Sequence, residues 1–133
     1  MRQLALLVLT TLFSFSALAA GESEEKPTQH LQVAEVQSMQ EAKAVFLDKT
    51  AEIRSKLPLT LENASHIHII TYTLEKSVAY FADNLEGDKK ALAEEMAVVV
   101  EDIHITSESN RLGELKEHLD KYFALVDEFV FCF

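Results

Sequence analysis

Residues 65–80 read S-H-I-H-I-I-T-Y-T-L-E-K-S-V-A-Y. Across this stretch and its flanks, Leu61, Ala64, His68, Thr71, Leu74, Glu75, Val78 and Phe81 recur every three or four residues, the spacing of one helix face. His68, Thr71 and Glu75 are therefore polar residues in a stripe that a helix would bury. Residues 65–73 also alternate as a strand does, and Val98, Val99 and Val100 are β-branched. The helical period continues through both places and no partner strand with turn chemistry appears, so the reading is helix.

Outward from this stretch the chain divides into further helices. Ser38-x-x-Glu41 is a capping box that opens the first, with Met39, Ala42, Phe46, Thr50, Ile53 and Leu57 facing inward until Pro58 stops it. Thr60 caps the second, over about residues 61–84, with Glu62 in its first turn, and Gly87 ends the hairpin. Tyr72 and Tyr80 are expected to pack with their hydroxyls outward. Asp88 is the expected cap of the third helix, whose stripe is Leu92, Met96, Val100, Ile103 and Ser107. Ser109 or Asn110 is expected to cap the fourth, with Leu112, Leu115, Leu119, Tyr122, Val126 and Phe129 inward. Four helices with short connections predict an all-α fold, an antiparallel up-down-up-down four-helix bundle over residues 38–133.

Ahead of the bundle, Arg2, the apolar run 4–15 and Ala17-Leu18-Ala19 have the order of a secretory signal peptide, expected to end at residue 19. The apolar run is shorter than the roughly 20 residues of a membrane span. The mature chain is thus expected in the periplasm, with no membrane span. Residues 20–37, which contain His30 and Pro27, are polar and read as a flexible lead-in. The 133 residues carry a net charge of −10, and losing Arg2 makes the mature chain more acidic still. That balance argues against nucleic acid and anionic membrane surfaces, and suits cations or basic partners. Cys132 is the only cysteine, so stability must come from packing and not from an internal disulfide.

The histidines carry the functional reading. Counting equal steps back from a turn near residues 86–87 puts His68 level with His104 on the neighbouring helix. The turn near residues 109–110 puts His118 level with Glu101, one turn from His104. Glu101 and Glu108 flank His104 at three and four residues, and Glu75 lies two turns along from His68. A histidine pair with these carboxylates and His118 is a set that suits zinc, copper or nickel, and a haem between His68 and His104 is a second candidate. A di-metal oxidase site needs two Glu-x-x-His motifs, and only Glu101-x-x-His104 is present. The same groups can equally form a polar network that sets helix register, His68 with Thr71 or Glu75, and His104 with Thr106, Ser107 or Glu108. Facing histidines near carboxylates would also serve as a pH sensor. His66 points off the stripe.

Nothing in the sequence supports an enzyme. No nucleophile sits on a strand-to-helix elbow, and three glycines make no phosphate loop. Phe123, Leu125, Val126, Phe129, Val130, Phe131 and Phe133 make the last helix apolar on more than one side, which predicts a protein partner, chaperone-like contact or self-association there. The histidines would then be structural.

His68-x-x-Thr71-Tyr72-Thr73-Leu74-Glu75 and Ile103-His104-x-x-Ser107-Glu108 together resemble segments of small exported proteobacterial proteins grouped as a domain of unknown function. The likeness runs from about residue 33 to residue 124. It implies a small helical periplasmic protein, brings no established activity, and directs attention to His68, Tyr72, Glu75, His104, Ser107 and Glu108. The architecture is similar to periplasmic cytochrome b562. Met39 matches the place of one axial ligand of that family, but no histidine lies in the last turns to match the other.

Overall fold

The computed structural model describes residues 31–131. Among them the chain is all-helical, with α1 (Met39–Ser55), α2 (Leu61–Asn84), α3 (Gly87–Glu108) and α4 (Leu112–Val130), and no strand. The segment that alternates like a strand is inside α2: Ile67, Ile70 and Leu74 are buried at helical spacing while Ile69 is exposed. The signal-peptide segment, the first part of the lead-in, Cys132 and Phe133 lie outside the described residues.

The helix ends follow local side-chain chemistry, with three corrections. Ser38 caps α1 as expected, its Oγ accepting the Glu41 N–H at 3.1 Å. The return bond of the box lands one residue early, on the Gln37 N–H, which donates to Glu41 Oε2 at 2.8 Å. Thr60 Oγ1 accepts the Asn63 N–H at 3.0 Å and caps α2. The first correction is that α1 ends at Ser55, so Leu57 lies beyond the helix and is exposed. The second is that Glu86, with no side-chain bond, holds the cap position of α3, while Asp88 sits in the first turn. Gly87 there has a φ of +60°, a left-handed conformation open to glycine.

The third correction concerns Asn110, which finishes α3 and does not start α4. Its φ is 56°, its N–H donates to Ser107 O at 3.3 Å, and the Arg111 N–H donates to Thr106 O at 2.9 Å. This pair of bonds is a Schellman ending, with asparagine in the left-handed position that glycine usually takes. Arg111 becomes the residue before α4 and makes no side-chain cap.

All four helices contribute to one core. Phe46 of α1 meets Phe81 of α2 and Phe129 of α4 edge-on, both at 5.6 Å, and Phe81 and Phe129 close the triangle at 5.0 Å. Ser77 Oγ of α2 donates to Ala42 O of α1 at 2.8 Å. Lys121 of α4 pairs with Glu95 of α3 at 3.1 Å. Leu61, expected inward, is exposed, and Leu92, Leu112 and Met39 are half-buried. Ile67, Val99 and Leu125 fill the core beyond the expected stripes. Residues 31–37 run beside α2 without helix; Glu35 pairs with Lys76 at 2.5 Å and Val36 packs on the core. None of the described helices is long and apolar enough to cross a membrane.

One buried bond joins α1 to α4: Thr50 Oγ1 and the Tyr122 hydroxyl are 2.7 Å apart. Burial pushes the Tyr122 phenol well above its ordinary value of 10, with Thr50 and Arg54 opposing the shift more weakly. The folded state therefore holds this proton after the unfolded chain has lost its own. The contribution is complete below the ordinary value and declines as pH rises past it. The melting temperature should fall more steeply above about pH 10 in the wild type than in Tyr122→Phe, which starts lower at neutral pH for want of the Thr50 bond. Parallel slopes in thermal melts across that range would count against this account.

Candidate functional site

The site is built from two short helical faces. On α2, His68, Thr71, Tyr72 and Glu75 stand at steps of three, one and three, which aligns them along one side. On α3, His104, Ser107 and Glu108 do the same over one turn. Both histidines share a local device. Thr71 Oγ1 donates to His68 O at 2.6 Å, and Ser107 Oγ donates to His104 O at 2.9 Å. Each hydroxyl is bonded back to the carbonyl three residues earlier, a pattern open to Ser and Thr inside helices.

The committed Thr71 proton decides the state of His104. Thr71 Oγ1 lies 2.9 Å from His104 Nδ1, and having given its own proton to His68 O it acts as the acceptor. Glu75 Oε1 lies 3.0 Å from the same nitrogen. Nδ1 therefore carries the hydrogen and the lone pair of the neutral ring sits on Nε2, an assignment made from the hydrogen-bond network. A carboxylate behind one imidazole nitrogen is the arrangement that orients histidines toward metal ions at the other. His104 is 5% exposed, so this network is held in the core and does not drift at the surface.

His68 faces His104 across the helix pair with ring centroids 4.5 Å apart and planes inclined at 59°. Tyr72 stands edge-on to both, 5.1 Å from His68 and 4.8 Å from His104. Its hydroxyl, expected to point outward, instead reaches His68 Nε2 at 3.3 Å, and the residue is buried. The expectation failed because Tyr72 lies one helical turn from His68 on a flank of α2 that α3 covers. Spacing along α2 does not show which of its flanks α3 covers.

Donor atoms of His68, His104 and Glu108 all lie within 4.8 Å of one another. A tetrahedral ion about 2.1 Å from each ligand would hold them roughly 3.4 Å apart. Closing on an ion thus needs movement of about an ångström, and the exposed Glu108 side chain is placed to provide it. The other sequence candidates are placed as follows. Glu75 is the partner of His104 Nδ1. Glu101 is exposed and lies outside the converging group. His118 is half-buried with its Nδ1 3.7 Å from Asp102, one residue from the level expected for it. Beside the site, a cleft of about 650 Å³ runs between Leu31, Val33 and Glu35 of the lead-in and Tyr72, Glu75 and Lys76 of α2.

Thr71 and Tyr72 are the residues whose parts sequence reasoning left incomplete. Spacing pairs Thr71 with His68 on its own helix, and in the structure Thr71 also reaches across to His104. The only signal for either was the distance of three and four residues from His68.

No curated protein and no solved structure matches the chain. The segments that form this site lie within a family resemblance that extends along nearly the whole chain, over residues 1–130, and by it the protein belongs to the family of unknown function DUF6746.

Proposed function

We propose that this protein is an exported periplasmic binding module that holds a transition-metal ion between α2 and α3 through His68, His104 and Glu108. The observation that carries the reading is the convergence of these three donor groups, with His104 already oriented by Glu75 and Thr71 behind it. Two imidazoles and a carboxylate with no thiolate suit zinc, copper(II) or nickel, and three protein ligands leave a position for water or a further ligand. A single ion suits the pair better than a haem. Axial histidines on a haem stand on opposite faces of the macrocycle, whereas these rings touch at 4.5 Å. The reading is of a binding protein and not an enzyme.

Export rests on the signal-like residues 2–19. The up-down-up-down bundle is favoured by contacts whose numbers fall in one helix as they rise in the other. Phe46 meets Phe129 and Thr50 meets Tyr122; Glu95 meets Lys121 and Asp102 meets His118.

The test is elemental analysis of protein purified from a periplasm without affinity metal, followed by titration of the metal-free protein with Zn²⁺ and Cu²⁺. Near-stoichiometric metal, or tight binding of one ion per chain, is the expected result. A protein that arrives empty and takes up neither ion overturns the proposal.

A second reading, a protein-interaction or chaperone-like module, draws on the end of α4, where Val130 is 41% and Phe131 92% exposed. Leu125, Val126 and Phe129 are buried in the core, and Phe123 is half-buried beside Leu57, Pro58 and Leu59, so the large exposed apolar side chains described on α4 are those of the tip. Truncating the helix would unfold the bundle; charged substitutions at the tip would not. If self-association occurs through this tip, Val130→Lys with Phe131→Asp should convert oligomer to monomer in sedimentation. A wild type that stays monomeric at high micromolar concentration removes that form of the reading.

A further inference from the structure

His68 and His104 are engaged at different nitrogens. The Tyr72 hydroxyl lies 3.3 Å from Nε2 of His68. Thr71 Oγ1 and Glu75 Oε1 lie 2.9 Å and 3.0 Å from Nδ1 of His104. A neutral imidazole has one N–H and one lone pair, so a ring that gives its lone pair to an ion carries its hydrogen on the other nitrogen. That N–H becomes more acidic once the ion is bound and is held by an outer acceptor. For His104 the acceptors stand at Nδ1. For His68 the oxygen in place stands at Nε2.

We infer that the pair coordinates through unlike nitrogens, Nε2 of His104 and Nδ1 of His68, with the Tyr72 phenol oxygen accepting the His68 Nε2–H as the positioning group. The inference rests on the metal-binding reading and deepens it. Before the ion arrives, the same 3.3 Å contact can run the other way, the phenol donating to Nε2 of a ring protonated at Nδ1. Binding then moves the ring proton from Nδ1 to Nε2 and the ion takes the lone pair exposed on Nδ1. No proton is gained or lost by the ring. The phenol turns its own hydrogen aside and accepts.

Tyr72 is built for this part. It lies one helical turn after His68, is 7% exposed, and packs edge-on against both imidazoles, at 75° and 86°. Coordination through His68 Nε2 would instead set the ion and the phenol in competition for one lone pair. The resulting site is asymmetric: a carboxylate and a threonine hold His104, and a phenol holds His68. A carboxylate strengthens its imidazole as a ligand more than a neutral phenol does, which makes His68 the weaker of the two nitrogen donors.

The experiment is long-range ¹H–¹⁵N correlation of the histidine rings in ¹⁵N-labelled protein, without metal and with one equivalent of Zn²⁺. The expected zinc-bound pattern is a hydrogen on Nδ1 of His104 and on Nε2 of His68, with the metal-shifted nitrogens being Nε2 and Nδ1 respectively. Tyr72→Phe keeps the ring and loses the oxygen; it should weaken zinc binding about tenfold and blur the His68 pattern while leaving that of His104 intact. Zinc bound with His68 keeping its hydrogen on Nδ1 overturns this inference and leaves the metal site standing. So does a Tyr72→Phe protein with unchanged affinity and an unchanged His68 pattern. If no ring nitrogen responds to zinc, the metal reading falls and this inference with it.

Discussion

His104→Ala should weaken transition-metal binding by at least about a hundredfold, since losing even an outer partner of a ligating histidine costs roughly 10- to 100-fold and this change removes the ligand itself. His104 is the residue on which both halves of the site depend. It faces His68 at 4.5 Å, and it is the shared partner of Thr71 and Glu75. Its loss also leaves the Glu75 carboxylate and the Thr71 oxygen without their cross-helix contact, so the variant should be less stable as well as weaker in binding. His68→Ala should show the binding loss with a smaller effect on stability, because His68 is only half-buried. Glu108→Ala separates the two effects: Glu108 is exposed, so the fold should be untouched while affinity drops. Isothermal titration with Zn²⁺ alongside thermal melts reads both quantities. Equal affinities in wild type and in all three variants would place any bound ion elsewhere.

Phe46→Ala should be the most damaging single change to the fold, costing about 3–5 kcal/mol. Phe46 is fully buried and sits at the apex where α1 meets α2 and α4, edge-on to Phe81 and Phe129 at 5.6 Å each. Removing the ring leaves a cavity bounded by two aromatic side chains from different helices, which cannot close in on it together. The loss is a large fraction of the stability of a small domain, typically about 5–15 kcal/mol. Urea unfolding followed by circular dichroism measures it. Phe46→Leu, which keeps most of the volume, should lose much less. If the two substitutions cost the same, the triangle of rings is not the keystone of the packing.

The sequence shows most plainly where the physics is local. Ser38 and Thr60 each offer an oxygen to the backbone N–H three residues on, and both caps stand where the pattern puts them. The limits of α2 follow in the same way from Thr60 and the turn at Gly87. Asp88 and Asn110 were misplaced because a polar residue near a helix junction has two uses. It can cap the helix that follows or close the one before, and Asn110 does the second through its left-handed backbone. Leu57 and Leu61 fit their stripes by period, yet they flank the turn at Pro58, where the chain leaves the core.

For the site, the sequence by itself determined that His68 and His104 face one another, because equal numbers of residues on either side of one tight turn place them at one height. It determined too that Thr71 and Glu75 share the His68 side of α2. Only the tertiary structure decided which groups touch. Depth around the helix axis, set by how closely α2 and α3 approach, buries Tyr72 against both rings and turns its hydroxyl inward. The same approach brings Thr71 and Glu75 to one nitrogen of His104, while Glu101 stays in solvent and the packing of α4 on α3 sets His118 beside Asp102. Periodicity fixes the angle of a side chain on its own helix. The distance to the neighbouring helix is set by the packing of Ile67, Ile70, Leu74, Val100 and Ile103 together, and no single stretch of sequence contains it.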